Sequence, residues 1–262
     1  AFERQWLFYK LWGRLLYDPE TPDSVFQAEF ERRYSSQAAP LLRAFSLASS
    51  TQLRLASLYD STWDFTLYGE GFLALQDDRT RYISVDRLIS QPTLASEYVS
   101  VREYVERLQA GGSFAPERVT PPVLKKLLEH DCQEALRLVR SIDVSRNASL
   151  RYEVADVRAW ANLGLHLAEK LEGALALHTF RLTGDEGEKR RAIEHLQRAL
   201  AHWDEVVRIT RPLYRDMPLT HYNHGSFEAN PHNLFHWALV RDEVAADVEI
   251  ARSASTATAP AR

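Results

Sequence analysis

The sequence predicts an all-α protein, a helical bundle with long antiparallel helical hairpins and one irregular aromatic-rich loop insertion. Three observations predict it. Apolar residues recur at three- and four-residue spacing along most of the 262 residues. No succession of strand and helix patterns occurs that could build a parallel barrel or a doubly wound sheet. Two long helical stretches, 150–182 and 190–213, flank the short polar turn "TGDEGEKR", and a turn that short packs them antiparallel.

The first helix spans 2–17, with Trp6, Tyr9, Leu11, Trp12, Leu15 and Leu16 at helical spacing, and stops before "DPETPD". Thr21 caps a second helix with Pro22 at its first position; it carries Val25, Phe26 and Phe30 and ends near Tyr34. A third, bearing Leu41, Leu42, Phe45, Leu47 and Ala48, follows "SSQAAP". Residues 51–92 lose the 3.6 period and read as a long ordered loop, of the sort that often carries function. Helical spacing resumes over 94–108 and stops at "AGG". Thr120, Pro121 and Pro122 open the next helix, with Val123, Leu127, Leu128, Cys132, Leu136 and Val139 inward. The stretch from Leu150 is apolar almost all round, the mark of a central helix. Its partner returns with Ala192, Ile193, Leu196, Leu200, Trp203, Val206 and Val207. A last helix runs from Pro231, capped by Asn230, to about Ala251. It turns Leu234, Trp237, Val240, Val244 and Val248 inward and leaves His236 at the rim of a cleft. The chain thus divides into 1–50, the loop segment 51–92, a bundle over 93–252 and a low-complexity tail, 253–262.

Composition excludes several functions. A net charge of −4 and the interleaving of Arg with Glu and Asp argue against nucleic-acid binding. No apolar run approaches the roughly 20 residues that span a bilayer. Cys132 is the single cysteine, which rules out an internal disulfide and reads as a small core residue. The chain lacks a "GxSxG" elbow and any phosphate-binding glycine loop. It also opens inside an amphipathic pattern, the expectation for part of a longer protein.

The stretches "WLFYKLWGRLLYDP" and "FERRYSSQAAPLLRAFSLAS" resemble the end of the catalytic (β/α)8 barrel in large bacterial glycoside hydrolases, α-glucuronidase-like and hexosaminidase-like. "LAEKLEGALALHTFRLTGDEGEKRRAIEHLQRALAHW" is similar to the helical C-terminal domain that follows that barrel. One departure stands out: the family-like "RYG" is "RYS" here, at Ser35. The resemblance implies a polysaccharide or oligosaccharide partner, bound through the parent enzyme, and a periplasmic or secreted setting. It also implies that the catalytic carboxylates lie in barrel strands ahead of Ala1. No catalytic residue is therefore assigned to these 262 residues, nor a cofactor.

Candidate contacts remain. In "STWDFTLYGEGF", Trp63 and Tyr68 offer flat faces on which sugar C–H groups stack, and Asp64 and Glu70 offer acceptors for hydroxyls. The opposing reading is a self-packed loop. "THYNHGSFEANPHNLFHW" gathers four of the nine histidines. His232 and His236, four apart, could share a metal, but no acidic or cysteine cluster at recognised spacing supports them. No metal site is assigned, and His221, His224 and His236 are read as lining a substrate surface or as packing. Two rival functions stay open: a helical protein–protein interaction module, and a metal-binding helical protein using these histidines.

Overall fold

The computed structural model describes residues 4–60, 72, 82–218 and 234–256. Nine α-helices and one two-stranded ribbon form their regular structure, with a single 3-10 turn at Ser36–Ala38. The all-α reading holds.

The central element is α7 (Ala148–Thr183), 36 residues long and therefore about 54 Å end to end. Asn147 Oδ1 accepts the Leu150 N–H at 3.0 Å and starts it. Gly184 stops it at φ 76°, a left-handed conformation in which a side chain is strained. α8 (Glu186–Thr210) returns beside it, capped by Asp185, whose Oδ1 accepts the Gly187 N–H at 2.7 Å. Cross-links descend one helix as they climb the other: Arg158 with Glu205, Asn162 with His202, His166 with Ala199. The hairpin is antiparallel.

On the other side of α7 pack α3 (Leu41–Leu58) and α6 (Pro121–Val139). They close on Gly164, where a methyl group would overlap Cys132 Sγ and Thr51 Oγ1. Cys132 is thus a core residue, and burial pushes its thiol up to about 11. α1 (Trp6–Tyr17) and α2 (Asp23–Tyr34) join this side through Trp6, Phe30 and Tyr34. α9 (Trp237–Ser253) lies along α8 with Val240, Val244 and Val248 inward as expected. α4 (Val85–Ser90) and α5 (Val101–Gln109) complete the bundle.

Several expectations are corrected. α3 continues through Thr51, Leu55 and Leu58, and α4 is a helix, so residues 51–58 and 85–90 are not irregular. A threonine in the stripe hid the first, and six residues are too few to show a period in the second. Segments 61–71 and 73–81 lie outside the described residues. α5 starts at Val101 because Ser100 Oγ takes the Glu103 N–H at 3.1 Å, while Glu97 and Val99 pair with Val119 through the backbone. α2 starts at Asp23 with Pro22 at the cap, since Thr21 Oγ1 donates to the Asp18 carbonyl instead. α6 is turned so that Leu124 and Ala135 face inward and Val123 and Leu127 are exposed. The last helix begins at Trp237, not Pro231. Leu234–Phe235 (β2) pairs antiparallel with Met217–Pro218 (β1), and His236 is the cap.

Ser35, the departure noted in "RYS", ends α2 at φ 68°, ψ 177°. That region is essentially reserved for glycine, which explains why a glycine would be expected there.

Candidate functional site

Of the predicted contact residues, Trp63, Asp64, Tyr68, Glu70, His221 and His224 lie outside the described residues, as does His232. His236 is described, and its setting differs from expectation. It is 3% exposed rather than at a rim. Its Nδ1 accepts the Ala238 N–H at 3.0 Å, capping α9. A neutral imidazole that accepts at Nδ1 carries its proton on Nε2, so the ring cannot offer Nε2 to a metal while it holds the helix. Burial, then the charge of Arg211, lowers its pKa. Among the described residues no group of three or more His, Cys, Asp or Glu side chains could hold a metal ion.

The most concentrated polar chemistry lies where the aromatic segment enters the bundle. Phe72 and Tyr82 are buried against His166 of α7 and Trp203 of α8, with ring centroids 5.0 to 6.0 Å apart. His166 Nδ1 meets the Ala199 carbonyl at 2.8 Å. A carbonyl only accepts, so Nδ1 holds the proton and Nε2 is the acceptor. The Tyr82 hydroxyl, 2.7 Å away, therefore donates to Nε2 and accepts from Lys170 Nζ at 2.9 Å. Lys170 is also paired with Asp247 of α9, whose Oδ1 accepts the Val85 N–H at 2.7 Å. One turn earlier, Glu243 accepts the Tyr82 N–H at 2.8 Å.

Each group named in this network has a partner within it. Lys170 is 1% exposed, and burial lowers its pKa while raising that of Asp247; their mutual attraction opposes both shifts. Burial first, and then Asp247, keeps the Tyr82 phenol protonated well above its ordinary value. Burial, with the Lys170 charge second, holds His166 neutral with a pKa of about 3. All four groups are buried. The network fastens the exit of the aromatic segment to three helices. Sequence reading missed all four residues. Their signal was present: His166 and Lys170 stand four apart in a helix apolar all round, and Asp247 interrupts the inward stripe of α9.

A second polar cluster ties the start of the chain to α7. Arg4 pairs with Asp156, and Tyr214 donates to Asp156 Oδ1 at 2.5 Å. Glu153 accepts from Trp6 Nε1 at 3.2 Å and lies 3.5 Å from Arg4. Burial, only partly opposed by Arg4, raises the Glu153 carboxyl. Both acids are engaged in holding Arg4, Trp6 and Tyr214. Beside them an open groove of about 750 Å³ runs between α1, α2 and α3, lined by Leu7, Phe8, Leu11, Phe26 and Phe45. Arg14 is exposed in the last turn of α1.

No family model matches the sequence and no curated protein matches it. Among solved structures, the fold is similar to that of a GH138 enzyme targeting pectin rhamnogalacturonan II, with a TM-score of 0.75 and 14% sequence identity. The match covers 95% of this chain and 30% of that one. The chain therefore spans less than a third of the protein it resembles, and at this identity the likeness is one of fold. Among the described residues no helix is long and apolar enough to cross a membrane.

Proposed function

We propose that the chain is the C-terminal helical, non-catalytic portion of a glycoside hydrolase-like carbohydrate-active enzyme, supporting a catalytic barrel and lining part of its polysaccharide cleft. The observation that carries this reading is the fold likeness to a GH138 enzyme over 95% of the chain but only 30% of the enzyme. The resemblance of "WGRLLYDP" to the end of a catalytic barrel supports it independently. So does the state of three acids: Glu153 and Asp247, both buried, and the partly exposed Asp156 are each paired with a cation or a donor. The sugar contacts in this reading are Trp63, Asp64, Tyr68, Glu70, His221 and His224. His236 serves by holding the start of α9.

The test is turnover. The isolated chain and the complete polypeptide from its gene are assayed against aryl glycosides and pectin-derived oligosaccharides. The complete polypeptide hydrolyses one of them and the 262 residues alone do not, because the acid and base act from barrel strands. Turnover by the isolated chain that disappears in Asp64→Asn or Glu70→Gln overturns the reading.

A further inference from the structure

α1 has two apolar faces and the bundle uses one. Trp6 is its only buried residue. At 100° per residue, Phe8, Trp12, Leu15 and Leu16 fall within an arc of roughly 100° on the side away from Trp6. They are 50%, 54%, 39% and 74% exposed. Phe8 and Trp12 pack edge to face, centroids 5.2 Å apart, so the patch is one surface, uninterrupted by charge. A contiguous exposed apolar patch of this kind marks an interface. The patch also continues inward, since Phe8 and Leu11 line the groove together with Phe26 and Phe45, beside the charged Arg4, Asp23, Arg43 and Glu153.

We infer that α1 is a shared helix: its outer face and the adjoining groove are buried by the catalytic domain of the same polypeptide, so that one helix stands in two hydrophobic cores. This rests on the function proposed above. One observation selects the occupant. The fold recurs as 30% of a longer chain, so most of that chain lies outside the shared part and can cover the helix and seat a projection in the groove. The arrangement makes the two units unfold together, which gives "support" a physical content.

Hydrogen exchange of the α1 amides is measured in the isolated chain and in the complete polypeptide. Exchange at residues 8–16 slows by about 100-fold or more in the complete polypeptide, because opening then requires both cores to part. Trp12→Asp and Leu16→Asp leave the melting temperature of the isolated chain unchanged and lower that of the complete polypeptide. Equal exchange in the two forms overturns the inference. So does a concentration-dependent dimer of the isolated chain that Leu16→Asp abolishes, since the occupant is then a second copy. A polypeptide that hydrolyses glycosides with α1 unprotected defeats the shared helix alone. A protected α1 in a polypeptide without glycoside turnover sustains the shared helix and defeats the proposed function.

Discussion

Asp247→Asn is the sharpest perturbation of the buried network. Asparagine keeps an oxygen for the Val85 N–H, which Asp247 accepts at 2.7 Å, but it removes the charge that faces Lys170. Lys170 is then a buried ammonium whose only described partner is the Tyr82 hydroxyl, 2.9 Å away. Removing one partner of a buried ion pair costs about 3–5 kcal/mol, because the remaining charge must stay unpaired or shed its proton. A domain holds about 5–15 kcal/mol in all, so the loss is a large fraction. Near this chain length 1 kcal/mol moves the melting temperature by about 2 °C or more, and a drop of at least about 6 °C is expected by calorimetry. Lys170 sets the pH dependence of the variant. Its folded pKa is already lowered by burial, and without Asp247 it falls further. Between that value and about 10.4 the unfolded chain binds the proton that the folded chain refuses, so the variant gains stability as pH rises across that range. Adding Lys170→Met removes the stranded charge and restores about 2 kcal/mol instead of adding a second loss. Strictly additive losses, or a variant that melts like the wild type, would refute a buried pair.

Other outcomes follow from burial. Trp203 is fully buried under Phe72, Tyr82 and Trp237, so Trp203→Ala costs about 3–5 kcal/mol in a denaturant titration. Trp160 is only half-buried, and Trp160→Ala costs distinctly less; the reverse order would show the hairpin turned about its axis. His166 has a pKa of about 3 in the folded chain against roughly 6.5 unfolded. Stability therefore falls as pH drops below about 6.5, by up to ~1.4 kcal/mol per pH unit from this residue. His202 and His236 are also lowered by burial, so His166→Asn shrinks that slope without abolishing it, and an unchanged slope between pH 6 and 5 refutes the assignment.

The helical class, the long α7–α8 hairpin and the inward stripe of α9 were determined by the sequence alone. Each is a local property set by apolar spacing, although the return helix starts at Glu186, capped by Asp185, and not at 190 as the polar turn suggested. Cys132 was likewise legible as core, since a lone cysteine on a helical stripe has little other use. Tertiary structure decided what local pattern leaves open. Trp12, Leu15 and Leu16 look as core-like as Trp6, yet they face outward, because spacing shows that a face is apolar but not what covers it. His236 was read as lining a cleft or as packing, and which of the two holds was left open, because its role as a buried cap depends on where the β1–β2 ribbon ends and α9 begins. Lys170 and Asp247, 77 residues apart, could be paired only by the packing of α9 and α7 around Tyr82. A charge in an apolar stripe announces that a partner exists, and the free energy of burying it demands one, but which residue answers is settled by the fold.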